Sequence, residues 1–161
     1  MTFNRLAMTA ALFGAALFAS ACSTHNKNSG DGMSAGAPKP GTNEDLKVNI
    51  GDRVFFAYDQ YDLSADAKGT LARQAEWLKK YSNLTVTIEG HADERGTREY
   101  NLALGDRRAN SARDYLISQG ISSSRITTIS YGEERPEATG SDEASWAQNR
   151  RAVTVVTGGV S

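Results

Sequence analysis

The densest run of polar side chains lies in residues 90–108, GHADERGTREYNLALGDRR, where a predicted strand leads into a predicted helix. Asp93 lies in the connecting loop and Arg108 lies in the helix, so both are expected to converge at the end of the strand, where open α/β sheets commonly place ligand sites. Asn101, Leu104 and Arg108 recur at helical spacing and share one helix face. This spacing predicts a pocket for a zwitterion, whose ammonium would pair with Asp93 and whose carboxylate would bind the planar guanidinium of Arg108.

A structural interpretation of the same residues stays open at this point. Asp93 would then cap the following helix or turn, and Arg108 would pair with it as scaffolding. The other charged residues of the segment are interpreted as a solvated, mutually screened surface. They are Glu94, Arg95, Arg98, Glu99, Asp106 and Arg107.

The sequence lacks the combinations of residues that metal-dependent or nucleophilic catalysis needs. The chain has two histidines, His25 and His91, and the first lies in a predicted linker, so a histidine-rich metal site cannot be assembled. Ser64, Ser111 and Ser130 lie in no GxSxG motif. We therefore expect a binding protein that is not an enzyme and that uses no cofactor or metal.

Alternating strand and helix patterns predict the elements that position these residues. Small residues at Gly105, Ala109 and Ala112 predict that the second long helix packs closely on the sheet. The predicted strands cover 54–58, 84–89, 126–131 and 152–156, and the predicted helices cover 65–80, 98–118 and 141–148. The expected fold class is α/β, a two-layer sandwich of about four mixed strands with two long helices and one short helix.

The N-terminal region predicts export and a lipid anchor. Residues 1–21 have the layout of a secretory signal peptide, with an early arginine, a short apolar run and small residues before the cleavage site. Cys22 ends the sequence ASAC, which resembles a lipobox, although Ala19 stands where Leu is commonest. A secreted protein with a free thiol is the alternative. Ser23 follows where lipoproteins of the inner membrane typically carry Asp, which implies transfer to the outer membrane.

The amino-acid composition predicts a linker followed by one folded domain. Residues 22–45 contain the cysteine and then scarcely any large apolar side chain, so they are predicted to be a flexible linker, and residues 46–161 are predicted to be the domain. A single cysteine excludes an intramolecular disulfide. A formal net charge of -1 argues against a nucleic-acid partner.

Four motifs in order carry a resemblance to a known family. GHADERGTREYNLALGDRRANSARDYL, with FAYDQYDL before it and SYGEERP and NRRA after it, closely resembles the peptidoglycan-associated lipoproteins (Pal) of Gram-negative bacteria, within the larger OmpA-like family. The resemblance implies an OmpA-like fold that binds the diaminopimelate-containing stem peptide of peptidoglycan without hydrolysing it. It also implies an outer-membrane lipoprotein that binds TolB and other Tol-system proteins and acts in cell division.

The resemblance implies roles for individual residues. It places the ligand of the diaminopimelate ammonium at Asp93 and the carboxylate-binding arginine at Arg108. Arg151 is either a further wall of the site or a paired surface arginine. A protein partner is expected to need a wider footprint than the pocket, including Glu133, Glu134 and Arg135. The other pocket residues that the resemblance implies are Tyr58, Asp59, Gly96, Thr97, Asn101 and Leu104.

Overall fold

The computed structural model describes residues 37–159. The predicted signal peptide, Cys22 and the first part of the predicted linker lie outside the described residues. The strands are β1 (Arg53–Phe55), β2 (Thr85–His91), β3 (Ile126–Gly132) and β4 (Arg151–Gly158). The α-helices are α1 (Asn43–Asp45), α2 (Ala65–Lys80), α3 (Arg98–Ser118) and α4 (Glu143–Asn149), with a π-helical turn at Leu46–Ile50 and a 3₁₀ turn at Ser123–Arg125.

The four strands form one mixed sheet in the order β1-β4-β2-β3. β4 runs antiparallel to β1 and β2, and β2 runs parallel to β3. Phe55 pairs with Arg151, and Gly90 pairs with Ala152, so β1 and β2 end beside the start of β4. The predicted α/β class with mixed strands is confirmed, and the loops after β1 and β2 begin at the same end of the sheet.

The core forms where α2 and α3 pack against this sheet. Leu71 and Leu78 of α2, Ile88 of β2 and Leu116 of α3 are each at most 1% exposed. The side-chain oxygen of Ser64 accepts a hydrogen bond from the Ala67 amide at 3.1 Å, so the predicted N-cap starts α2. The apolar periodicities in the sequence therefore identify the buried faces of both long helices.

Ordered structure begins before residue 46, where the sequence predicted the end of the linker. The side chain of Thr42 accepts a hydrogen bond from the Asp45 amide and caps α1. The Asp45 carboxylate is buried and accepts hydrogen bonds from the Gly41 amide at 2.8 Å and from Trp77 Nε1 at 2.9 Å. A polar contact of this kind leaves no apolar pattern in the sequence, which explains why the boundary was placed too late.

The first strand is also shorter than predicted. β1 ends at Phe55, and the Phe56 amide donates a hydrogen bond to the Arg150 carbonyl at 2.9 Å, just outside the strand β4. Phe56 is buried while its neighbour Phe55 is 48% exposed. Within the described residues, no helix is both long enough and apolar enough to cross a membrane.

Close packing of α3 on β2 depends on two facing glycines. A Cβ at Gly90 would fall on the backbone carbonyl of Gly105, and a Cβ at Gly105 would fall on the side chain of Ser130. The predicted close approach of this helix to the sheet is therefore confirmed, and glycine at position 90 is what permits it.

We expect Gly90→Ala to lower the free energy of unfolding by at least ~1–3 kcal/mol, because α3 must move away from the sheet to admit the methyl group. Denaturant unfolding measures the change. The matched control is Gly69→Ala in α2, where the nearest atom to the new Cβ is 3.9 Å away. That substitution is expected to stabilise the helix by ~0.5–1 kcal/mol. Equal stability of Gly90→Ala and the wild type would contradict the packing argument.

Candidate ligand-binding site

A cavity of about 220 Å³ opens where the loops after β1 and β2 meet the N-terminal half of α3. Seven of the eight predicted pocket residues line it, and the cavity also includes Arg95 and Tyr100. The eighth, Thr97, is the N-cap of α3, where its hydroxyl accepts a hydrogen bond from the Tyr100 amide at 3.2 Å. The lining residues are Tyr58, Asp59, Asp93, Arg95, Gly96, Tyr100, Asn101, Leu104 and Arg108.

Asp93 is a buried carboxylate held by two arginines. Its side chain accepts hydrogen bonds from the Arg95 amide at 3.1 Å, from Arg95 Nε at 3.1 Å and from Arg95 Nη2 at 2.7 Å. Arg150 Nη1 lies 3.3 Å away on the other side. Burial alone would raise the pKa of the Asp93 carboxyl, but these hydrogen bonds outweigh it and hold the pKa below its usual range. Asp93 is therefore ionised at neutral pH.

Arg95 covers the carboxylate instead of belonging to a solvated surface, so the sequence interpretation of this residue was wrong. Its guanidinium lies between two aromatic rings, 4.1 Å from the ring centre of Tyr58 and 4.0 Å from that of Trp146. Arg95 Nη1 also lies 3.7 Å from a carboxylate oxygen of Glu143. The two rings and two carboxylates fix a cation at the mouth of the cavity.

Arg150 is a second partner of Asp93 that the sequence analysis missed. It is 6% exposed, and its Nε donates a hydrogen bond to the Phe56 carbonyl at 3.0 Å. Its Nη2 donates to Glu143 at 2.7 Å. Arg151, which was considered as a wall of the site, does not line the cavity and instead lies 3.6 Å from Glu137. Arg151 is therefore paired, but at 5% exposure it is not the surface arginine of the alternative either.

Arg108 is fully buried and donates hydrogen bonds to three backbone carbonyls. Nε donates to Gln60 at 2.8 Å, Nη1 to His91 at 2.8 Å and Nη2 to Ala57 at 3.3 Å. These bonds use three of the five N–H groups of a guanidinium. Burial lowers the pKa of Arg108 to about 10, so the side chain stays charged at neutral pH. The ion pairs of Asp93 are with Arg95 and Arg150, so the predicted scaffolding pair of Asp93 with Arg108 is not formed.

The loop after β1 forms the opposite wall. Asp59 has a φ of 57°, in the left-handed region that few non-glycine residues adopt, and it accepts a hydrogen bond from the Tyr100 hydroxyl. Asn101 is buried and its amide nitrogen donates to the side chain of Glu133. Gly96, with a φ of 122°, turns the chain into α3. The lining thus combines two carboxylates, two guanidinium groups and an apolar floor at Leu104.

His91 points away from the cavity although its carbonyl contacts Arg108. The imidazole is 1% exposed, and neither of its ring nitrogens has a hydrogen-bond partner. Burial, together with repulsion from Arg151, Arg135 and Arg53, lowers the pKa of His91 to about 3. Among the described residues, no cluster of three His, Cys, Asp or Glu side chains is arranged to hold a metal ion.

We expect His91→Phe to flatten the acid limb of the stability curve. His91 is neutral in the folded state down to pH about 3, whereas an unfolded histidine takes up a proton near pH 6.5. Between these values the unfolded state binds more protons, so stability is lost as the pH falls, by up to ~1.4 kcal/mol per pH unit from this residue. Urea unfolding between pH 7 and pH 4 measures both slopes. Identical slopes for the variant and the wild type would contradict the assignment.

Comparison with known proteins shows the class of protein to which this chain belongs. The OmpA family model matches residues 55–150, which include β2, α3 and all of the cavity lining. A crystal structure of the peptidoglycan-associated lipoprotein from Burkholderia pseudomallei superimposes with a TM-score of 0.66 at 39% identity, covering 70% of this chain and all of that chain. The fold and the sequence therefore point to the same class.

Curated relatives narrow the class further. The peptidoglycan-associated lipoprotein of Rhizobium meliloti is 56% identical over 153 residues, covering 95% of this chain and 85% of the relative. The protein of the same name from Mesorhizobium japonicum is 60% identical over 124 residues, covering 77% and 74%. The chain therefore belongs to the OmpA family and, within it, to the peptidoglycan-associated lipoproteins. These proteins are structural, which confirms the expectation that the chain is not an enzyme.

Proposed function

We propose that this chain links the outer membrane to the cell wall by holding the diaminopimelate residue of the peptidoglycan stem peptide in the cavity. The observation that carries the proposal is the placement of the Asp93 carboxylate and the Arg108 guanidinium on one 220 Å³ cavity. Diaminopimelate has two carbons that each carry an amino and a carboxyl group. One of these carbons is part of the peptide chain, and the other carries an ammonium and a carboxylate. A cavity lined by both carboxylates and guanidinium groups matches that pair of groups.

The hydrogen bonds of the cavity suggest how the ligand is held. Arg108 keeps two N–H groups beyond its three carbonyl contacts, and we expect the ligand carboxylate to accept hydrogen bonds from them. The hydrogen-bond positions of Asp93 are occupied by Arg95 and Arg150, so a ligand ammonium has to take the place of the Arg95 guanidinium. Asp59, on the opposite wall, offers a second carboxylate to the same ammonium.

Binding to isolated sacculi tests the proposal. The chain is expected to co-sediment with sacculi and to be released by free meso-diaminopimelate. 1,5-Diaminopentane, which lacks both carboxylates, and pimelate, which lacks both ammonium groups, are the matched competitors and are expected to release little protein. Release by 1,5-diaminopentane equal to that by diaminopimelate would refute a zwitterion site. Appearance of soluble muropeptides during the incubation would refute a noncatalytic binder.

A second role, binding of TolB and other Tol-system proteins, is favoured by the surface around the cavity. Tyr58, Tyr61 and Tyr100 are 58%, 44% and 42% exposed, and exposed tyrosines are enriched where proteins bind proteins. Glu134 pairs with Arg98 on the same rim. We expect TolB and sacculi to compete, since the wider protein footprint would cover the cavity. Simultaneous binding of both would show that the surfaces are separate.

The lipid anchor at Cys22 is part of the proposed function. We expect Cys22→Ser to leave the folded domain unchanged and to shift the protein from the outer-membrane fraction to the soluble periplasmic fraction, because the acyl chains supply the membrane affinity. Labelling with radioactive palmitate should disappear in the same variant. Ser23→Ala, at the next position, is the control and should retain both label and location. Retention of the label by Cys22→Ser would remove the anchor from the proposal.

A further inference from the structure

A second and larger cavity lies on the outer surface of α2, away from the candidate site. Its volume is about 510 Å³, and none of its lining residues contributes to the diaminopimelate cavity. Val48 is 58% exposed, and it precedes the lining residue Ile50 by two positions in the π-helical turn. We call this surface the Trp77 groove. Its lining residues are Ile50, Ala72, Arg73, Glu76, Trp77 and Lys80.

The chain enters the domain at one end of the Trp77 groove. Gly41 lies against the ring of Tyr81, and that ring packs on Trp77 with the ring centres 5.1 Å apart. Asp45 accepts the hydrogen bond of Trp77 Nε1 at 2.9 Å, so the first described turn is fixed to the same tryptophan. The first residues that the structure describes therefore lie on this side of the domain.

The distance to the proposed anchor is short. Cys22 lies 15 residues before the first described residue, so the two cannot be more than ~50–54 Å apart. A domain held to a membrane by a tether of this length meets the lipid surface frequently, and the side where the tether enters is the nearest one. The Trp77 groove is on that side.

Charge around the groove is complementary to an anionic surface. The α1 and π-helical segment and α2 contribute five cations, against the three exposed carboxylates Glu44, Asp66 and Glu76. One of those carboxylates is already paired, since Lys79 lies 2.7 Å from Glu76. The whole chain has a formal net charge of -1, so this local excess of positive charge is a departure from the average. The five cations are Lys47, Lys68, Arg73, Lys79 and Lys80.

We propose that the Trp77 groove and its cations dock on the anionic phospholipid surface of the membrane that carries the lipid anchor. The inference rests on the proposed anchor, because the tether is what brings this side to the membrane. Val48 and Ile50 supply apolar surface to the headgroup boundary, and the lysines bind lipid phosphates. The diaminopimelate cavity takes no part in this contact, so the domain can hold lipid and wall by different surfaces.

The test uses the unlipidated chain starting at Ser23, so that binding reports the surface and not the acyl group. Vesicles of phosphatidylcholine with phosphatidylglycerol are expected to co-sediment the chain, and vesicles of phosphatidylcholine alone are expected to bind it at least tenfold more weakly, at roughly fivefold per surface cation. High salt should remove the difference, because it screens exposed charges. Sacculus binding is measured in parallel on the same protein.

Two variants with matched controls locate the surface. Val48→Asp and Lys80→Gln are each expected to weaken binding to anionic vesicles about fivefold or more, at roughly fivefold per cation for the lysine. Leu102→Asp, at a 49% exposed leucine of α3, and Arg113→Gln on the same helix are expected to bind as the wild type does. Equal binding to neutral and anionic vesicles, or equal loss in test and control variants, would overturn the docking proposal. Retained sacculus binding in either case would leave the cell-wall function standing.

Discussion

We expect Asp93→Asn to abolish binding to sacculi while the domain stays folded. The substitution keeps the shape of the side chain and removes the negative charge that faces the cavity. Loss of one partner from a desolvated charge pair costs ~2–5 kcal/mol, which corresponds to a fall in affinity of roughly thirtyfold or more. Co-sedimentation with sacculi and titration with meso-diaminopimelate both measure the fall.

The charge of Asp93 also neutralises two arginines, so its removal affects the stability of the folded domain as well as ligand binding. Arg95 and Arg150 both donate to this carboxylate, and without it they become two neighbouring cations with no carboxylate between them. We expect thermal unfolding of Asp93→Asn at a lower temperature than the wild type, but with one cooperative transition. Binding is therefore measured well below that transition, where the variant is folded.

Arg95→Ala distinguishes the role of the Asp93 carboxylate in binding the ligand from its role in pairing with Arg95. It removes the guanidinium that occupies Asp93 in the ligand-free site and leaves the charge of Asp93 in place. Sacculus binding is expected to be retained within about fivefold, since the ligand ammonium then has no competitor for Asp93. Asp106→Asn, at an exposed carboxylate on α3, is the charge control and should bind normally. Wild-type binding by Asp93→Asn, or complete loss in Asp106→Asn, would contradict the assignment of the ammonium site.

The sequence predicted the parts of this site that follow from local periodicity. Asn101, Leu104 and Arg108 share a helix face because three- and four-residue spacings superimpose on any α-helix, whatever it packs against. Asp93 follows β2 directly, and the end of a strand fixes the position of the next few residues. These features required no knowledge of distant contacts.

The partners of Asp93 were not predictable in the same way. Arg150 lies 57 residues from Asp93, and their contact depends on the antiparallel pairing of β4 with β2. The NRRA motif drew attention to Arg151, whereas the residue at the site is its neighbour Arg150. Consecutive residues of a strand point to opposite faces of the sheet, so a shift of one residue selects a side chain on the wrong face. Arg95 was placed on the surface because its sequence neighbours are charged, whereas Tyr58 and Trp146 enclose it from other elements.

Arg108→Met should lose both stability and ligand binding, because the side chain is buried and ties two loops together. Its guanidinium joins Ala57 and Gln60 in the loop after β1 to His91 at the end of β2. Each buried carbonyl left without a donor costs ~1–3 kcal/mol, so the loss in unfolding free energy is expected to be several kcal/mol. The three carbonyl contacts show that Arg108 supports the fold as well as lining the cavity.

The binding role of Arg108 is separable from its structural one with a conservative variant. Arg108→Lys keeps a cation, but a single ammonium cannot reach three carbonyls and also present a planar pair of N–H groups to a carboxylate. We expect an unfolding free energy between those of Arg108→Met and the wild type, and loss of diaminopimelate binding by the folded fraction. Arg107→Met, at the exposed neighbour on α3, is the control and should change stability by less than ~0.5 kcal/mol. Wild-type affinity in folded Arg108→Lys would show that this residue only positions the loops, and the carboxylate of the ligand would then have to bind elsewhere in the cavity.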